Sequence, residues 1–388
     1  MFSERTGWDR QENEVTLAAE SLRSSGRSLL DLTRSNPTEC AFVYDGRGIQ
    51  RALTAGEILR YRPEARGMAV AREAVADYYR KQHGVALAAD DLVLASGTSE
   101  AYSFLFRLLC NAGDEVIIPA PGYPLFDFLA DICDVKLVRF ALVYDHGWQI
   151  DFAALAAAAT VRTRAVIVVH PNNPTGHYVR RAEQRQLADF CRERGLALIA
   201  DEVFLDFSMA ENRVESLLKG ARALTFALSG LSKICGLPQM KLAWLAVSGP
   251  QPEKREALAR LELIADAYLS AATPVQLAAR TLLEMRGPFQ EQVMQRVGRN
   301  LCELDRQLAG QNVSTRLACD GGWTAVLRVP AVQSDEALAL ALLKERSVLV
   351  HPGHFYDFAR PGHMVVSLIV PEPEFAQGIS RVLAHVSG

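Results

Sequence analysis

The sequence predicts an α/β protein: a mostly parallel seven-stranded sheet in a large unit, joined to a smaller α+β unit. Three observations carry that prediction. Seven short β-branched or apolar runs recur between residues 91 and 249, most of them separated by segments with apolar residues at helical spacing. A mostly helical stretch follows residue 250 and is too long for a crossover between neighbouring strands. Beyond it, strand-like and helix-like pieces resume in a different rhythm.

The expected strands are, in order, "DLVLAS" (91–96), "EVIIPA" (115–120), "KLVRFAL" (136–142), "RAVIVVH" (164–170), "LALIAD" (196–201), "ALTFALS" (223–229) and "KLAWLAVSG" (241–249). Most are nearly continuous in apolar residues, as strands covered on both faces are. Between them, "SEAYSFLFRLLCNAG" and "AEQRQLADFCRERG" read as helices ending on Gly113 and Gly195, and "AALAAAAT" (153–160) as the surface of a further helix. The stretch "EKREALARLELIADAYLSAATPVQLAARTLLEM" reads as a connecting helix. The smaller unit then supplies strands "GGWTAVLRV" and "VVSLIV" and helices "SDEALALALLKER" and "PEFAQGISRVLAHV". The expected division is a large unit over 45–252 and a small one made of 1–44 with 253–388; the segment before 44 packs on the small unit or reaches a second subunit.

Bulk properties exclude several classes. With 388 residues, 49% hydrophobic and 22% charged, the chain has enough apolar mass for more than one core and no bias toward disorder. Its net charge of −3, from 42 Lys and Arg against 45 Asp and Glu, opposes a general nucleic-acid or membrane-surface binder and favours a small-molecule partner. The seven cysteines are scattered and never spaced as CxxC, so neither a disulfide framework nor a metal site is expected. The polar start "MFSERTGWDRQENE" and the lack of a long uncharged apolar run complete the expectation of a cytoplasmic protein, neither exported nor membrane-inserted.

In an open parallel sheet, ligands bind outside the carboxyl ends of the strands. Those ends carry unusual residues. After the first run, "SGTSEAY" opens a helix with small residues, where free backbone N–H groups suit a phosphate. "PGYP" presents the ring of Tyr123, "HPNNPTG" an amide, and "ADEVF" the carboxylate of Asp201. After the sixth run comes Lys233, at a place where an ammonium is costly to desolvate. A planar, anionic, nitrogenous cofactor that forms an imine with lysine would use every one of these groups, and pyridoxal phosphate is such a molecule.

In order, "YRPEARG", "SGTSEA", "PGYP", "HPNNPTG", "ADEVF" and "SGLSKICGLPQMKLAW" resemble the motifs of the class I/II aminotransferases, fold-type I pyridoxal-phosphate enzymes. The resemblance spans about 60–250, and "NNPTG" with "SK" at this spacing is its most specific part. It implies that Lys233 joins the cofactor aldehyde and moves the substrate Cα proton, while Asp201 keeps the pyridine nitrogen protonated. Asn173 would donate to the cofactor phenolate and Tyr123 stack on its ring; Gly97, Thr98 and Ser99 would cradle the phosphate, with Lys241 beside them. Tyr61 would reach the phosphate of a neighbouring subunit in a homodimer with shared sites. The reaction implied moves an amino group from an amino acid or amine to a 2-oxo acid, with β-elimination by a lyase as the alternative.

Three departures narrow what is implied. Lys241 stands where the family usually has Arg, keeping the charge but not the planar fork. Phe204 replaces a frequent Tyr, removing one donor to the phenolate and so raising the pH at which the lysine–cofactor imine loses its proton. In "GHMVVSLI", Val365 occupies the place of the family Arg that grips the substrate carboxylate by two parallel hydrogen bonds. Either another basic residue takes over, with Arg34, Arg360, His354 and His363 the candidates by region, or the substrate has no α-carboxylate. The first is favoured because the cofactor residues are otherwise intact. A metal site at His351, His354 and His363, a dinucleotide site at "DGRGIQR" and a non-catalytic effector-binding module are each discounted: no third ligand stands at a recognised spacing, no third glycine or preceding strand is present, and there is no room for a DNA-binding domain.

Overall fold

All seven apolar runs form strands, and an eighth joins them: β1 Leu92–Ala95, β2 Glu115–Ala120, β3 Lys136–Tyr144, β4 Trp148–Ile150, β5 Thr163–Val169, β6 Ala197–Asp201, β7 Thr225–Gly230 and β8 Ala243–Ser248. The coordinates are a computed structural model, which describes residues 1–209 and 214–388. β4 is missing from the sequence prediction because three residues are too few for a periodicity; it forms by folding back antiparallel on the end of β3, Leu142 opposite Ile150. The spatial order is β1-β8-β7-β6-β5-β2-β3-β4. Neighbours from β7 through β3 run parallel, while β8 lies antiparallel between β1 and β7.

The central strands are buried on both faces, which explains their unbroken apolar sequence. On one face, the helices Thr98–Leu109 and Gln251–Tyr268 bury Phe104, Leu105, Leu258 and Leu261 against Val93, Ile199 and Val247. On the other lie the helices Ala69–Tyr78, Arg181–Arg194 and Thr273–Glu284. Gly195 ends the second of these in the left-handed conformation, φ 64°, as its position in the sequence predicts.

The expected connecting helix is two helices, Gln251–Tyr268 and Thr273–Glu284, and a third, Arg286–Leu308, follows them. The first break has a local cause: Leu269 adopts φ +65°, which stops an α-helix, and Pro274 suits only the first turn of the next. The first two helices bury their apolar faces with the large sheet, and Arg286–Leu308 turns its own, through Val293, Val297 and Leu304, to a separate core.

That second core is built on a four-stranded antiparallel sheet, in spatial order β9 Thr315–Arg316, β10 Thr324–Arg328, β12 His363–Ser367 and β11 His351–Pro352. The helices Asp335–Arg346 and Glu372–Val386 pack with it, and so does the start of the chain. Helix Glu14–Ser24 lies on Asp335–Arg346, and Leu30–Asp31 pairs in parallel with Val348–Leu349. This pairing carries the residues that follow, Thr33 and Ser35, toward the carboxyl ends of the large sheet's strands.

Candidate active site

A cavity of about 350 Å³ lies outside the carboxyl ends of β1, β5, β6 and β7, closed on the other side by β10–β12. Thr98, Tyr123, Asn173, Asp201 and Lys233 all line it. Gly97 and Ser99 flank Thr98 at the helix start but are not in the wall, and Lys241 stands just behind. Tyr61 is 69% exposed and lies outside the cavity of its own chain.

Lys233 is carried by the turn Leu231–Ile234, directly after β7. The approach requires a glycine: a Cβ on Gly230 would lie 2.9 Å from the Leu242 carbonyl oxygen and 3.0 Å from Ala243 Cβ, so any larger residue would push β7 and β8 apart. The lysine Nζ faces two aromatic rings, 5.4 Å from the centroid of Trp323 and 5.7 Å from that of Phe204. Burial pushes its pKa down, with Asp201 pulling the other way. More of the amine is therefore in the neutral, nucleophilic form than in a free lysine.

Asp201, at the tip of β6, accepts hydrogen bonds from the Tyr102 hydroxyl, 3.0 Å, and the Val203 amide, 3.2 Å. Burial raises its pKa to about 6, against the lowering effect of those bonds and of Lys233. A carboxylate held this way is ready for a cationic N–H partner, which would return it fully to the ionised form. Tyr102 is absent from the sequence prediction. Its signal is its spacing, four residues after Thr98 on the same helix face, with its hydroxyl aimed at the tip of β6.

The two asparagines of "HPNNPTG" divide the work. Asn172 Oδ1 accepts from the Thr175 hydroxyl at 2.9 Å, and its backbone N–H donates to the His177 carbonyl at 2.8 Å, fixing the turn. Asn173 lines the cavity, and its Oδ1 is buried with no hydrogen-bond partner among the described residues. Gly176 closes this turn at φ +72°, where a Cβ would lie 2.7 Å from Cys319 Cβ.

At the phosphate end, Lys241 is left-handed, φ 51°, and places its amine so that a Cβ on Gly97 would lie 3.5 Å from Nζ. A non-glycine residue held in this conformation is a marker of a site over-determined by its surroundings. The helix Thr98–Leu109 thus presents its free N–H groups and positive end next to an ammonium. Anion seat, flat ring, unpartnered amide, buried carboxylate and amine fit pyridoxal phosphate in kind and in order.

The opposite wall differs from the expectation. Val365 does line the cavity, where the sequence places the missing arginine. None of Arg34, Arg360, His354 and His363 does. Arg34 points away into an ion pair with Glu374 at 2.8 Å, because its neighbours Thr33 and Ser35 take the inward positions. His363 stacks on Phe358, ring centroids 4.5 Å apart, and His354 lies edge-on to Phe355. Instead the wall holds Trp323, Tyr356 and His351, none of them assigned there from the sequence; they sit in strands and turns whose facing cannot be read without the register.

The chain is similar over nearly its whole length to known enzymes. It is 27% identical over 373 residues to the alanine aminotransferase of Mycobacterium tuberculosis, covering 94% of this chain and 87% of the relative. Its fold matches that of an alanine aminotransferase from Pyrococcus furiosus with a TM-score of 0.89 at 20% identity, covering all of both chains. A 29% identity to an S-alkyl-thiohydroximate lyase of Arabidopsis thaliana extends over only 235 residues, 60% of this chain and 51% of the lyase. Among the described residues no helix is long and apolar enough to cross a membrane. The sequence pattern of the aminotransferases of class I and II matches residues 45–381, so the chain belongs to that family and is a pyridoxal-phosphate-dependent transaminase.

Proposed function

We propose that this transaminase works on a monocarboxylic amino acid with a small or apolar side chain, alanine first, and the matching 2-oxo acid. The observation that carries the site assignment is the meeting of Lys233 and Asp201 in one cavity with Thr98, Asn173 and Tyr123 between them. Two facts support the substrate class: one alanine aminotransferase is 27% identical over most of the chain and another shares its fold, and among the described residues of the wall no arginine is available for a second carboxylate.

In this proposal Lys233 holds the cofactor through its amine and, once released, moves the proton between substrate Cα and the cofactor. Asp201, oriented by Tyr102, keeps the ring nitrogen protonated. When bound, the cofactor supplies a sink for the electron pair left at Cα when the proton goes. Asn173 donates to the ring oxygen and Tyr123 covers the ring face. Gly97, Thr98 and Ser99 bind the phosphate with Lys241, whose point charge replaces the forked contact of an arginine. Trp323, Phe204 and Tyr356 exclude water.

The proposal includes a cytoplasmic homodimer, in which the exposed Tyr61 and its neighbour Leu59 meet the partner, and a chain divided at 45–252 against 1–44 with 253–388, the helices Gln251–Tyr268 and Thr273–Glu284 of the second part lying on the sheet of the first. Incubation of the yellow holoenzyme with alanine tests the function. Conversion of the cofactor to its amine form with release of pyruvate supports it; ammonia release with the cofactor unchanged, on incubation with serine, whose Cβ carries a hydroxyl that can leave, supports elimination instead. A fully active monomer in light scattering contradicts the role of Tyr61.

A further inference from the structure

His351 stands directly opposite Val365 in the antiparallel pair of β11 and β12. Directly paired residues project to the same face, with Cβ atoms about 4.5–5.5 Å apart. Both line the cavity. The imidazole packs edge-on to Tyr356, centroids 5.8 Å apart, and near Phe355 at 6.1 Å, yet neither ring nitrogen has a hydrogen-bond partner among the described residues. A polar ring braced by aromatics, left unpaired and facing a ligand cavity is arranged to receive a ligand atom.

Resting on the aminotransferase reading above, we propose that His351 takes the place of the missing guanidinium and binds the substrate carboxylate as an imidazolium, with the hydroxyl of Ser35 on the same wall. Val365 leaves the space that an arginine side chain would fill. The binding step then includes a proton: a neutral imidazole in the empty site takes one up from solvent as the carboxylate enters, and gives it back on release.

The surroundings set the direction. Burial holds the imidazole below its ordinary pKa in the empty site, and Asp31 opposes this. Asp31 is itself occupied, by Thr33 and by Arg23 at 3.1 Å, so it does not capture the ring. The turn Gly353–Tyr356 brings the phenol of Tyr356, its His354 lying edge-on to Phe355 outside the cavity wall; the strand neighbours Val365 and Val326 bring no ionisable group, and Lys233 and Asp201 stand across the cavity. Behind β11, Asp335 is taken by the amides of Gly362 and His363. A carboxylate arriving beside His351 is thus the strongest available stabiliser of its charged form. Affinity for acid substrates falls as pH rises above neutral, by up to about tenfold per unit where one proton is taken up.

Propionate, a carboxylate with neither an amino nor a keto group, isolates this contact. It is titrated calorimetrically into the holoenzyme in two buffers of different ionisation enthalpy, and into the His351→Gln, His351→Leu and His351→Leu/Val365→Arg forms. The wild type is expected to take up close to one proton per propionate bound; His351→Gln binds more weakly with no uptake, and His351→Leu binds at least tenfold more weakly. Adding Val365→Arg to His351→Leu recovers affinity without proton uptake. With alanine, His351→Leu raises KM much more than it lowers kcat. Equal propionate affinity in wild type and His351→Leu overturns the assignment, as does turnover of amines lacking a carboxylate in preference to amino acids. The visible band of the bound cofactor separates the two levels: a wild type without it defeats the aminotransferase reading and His351 with it, whereas a normal band with unchanged propionate binding defeats His351 alone.

Discussion

The two walls of the cavity are built on opposite plans. On the sheet side, charged and hydrogen-bonding groups sit at strand tips, each fixed by neighbours: Asp201 by Tyr102 and Val203, Asn173 by the turn that Asn172 ties, Lys233 by the glycine before it. On the side of the small antiparallel sheet, Trp323, Tyr356, Val365 and Val366 alternate with the neutral hydroxyls of Ser35, Thr324 and Ser367, and His351 brings the one imidazole among the described residues of the wall. By its motifs the first wall resembles the family's cofactor side apart from Lys241 and Phe204, and the second departs from the family pattern at Val365. Binding a common cofactor fixes one wall, and choosing a substrate leaves the other free to change.

The largest effects belong to the sheet side. Lys233→Ala is expected to abolish the visible band and lower kcat by more than ~10⁴-fold, since both the covalent tether and the proton carrier go. Full activity in that variant would erase the distinction between the walls. Asp201→Asn retains the fold and some cofactor but lowers kcat by roughly 10²–10⁴-fold, as the ring nitrogen loses the carboxylate that keeps it protonated; stopped-flow measurement of the amino-acid half-reaction reads this directly.

A smaller effect tests the seam between the walls. Phe204 lies edge-on to Trp323, ring centroids 5.1 Å apart, and both line the cavity. Phe204→Tyr is expected to shift the pH titration of the band downward, by about one unit or less, because the new hydroxyl stabilises the cofactor's anionic ring oxygen. An unmoved titration would show that the hydroxyl faces the substrate wall instead.

The smallest effect lies behind the sheet. Strand alternation sends Glu202 away from the cavity, where it accepts hydrogen bonds from Ser216 and from the Leu217 amide at 2.7 Å. Burial first, then the nearby Asp201 and Asp206, push its pKa from an ordinary 4.5 to about 8. Between those two values the folded state holds a proton that the unfolded chain has lost, so stability falls as pH rises across that window. Glu202→Gln is expected to flatten this decline, visible as a gain in Tm of about 1–4 °C at pH 8 and little change at pH 5. An equal decline in both proteins would place the titration elsewhere.

Most of the large sheet was legible because strands buried on both faces announce themselves as apolar runs, and the strand ends then locate the cofactor residues without further help. The short β4 and the breaks at Leu269 and Pro274 were not, since each depends on a few residues inside a longer pattern. The substrate wall was least legible. Val365 could be placed by resemblance, but the inward turn of His351 follows from strand register, which a sequence with one-residue ambiguity does not disclose, and that of Ser35 over Arg34 lies in irregular chain with no periodicity to read.

The pairing of Leu30–Asp31 with Val348–Leu349 makes the opening stretch of the chain a structural part of the reaction chamber, two hundred positions from the lysine in covalent order but facing it across open space. Trimming or displacing that stretch would leave a coloured protein with a breached chamber: one still able to carry its prosthetic group, yet unable to keep bulk water from the amino acid it is meant to transform.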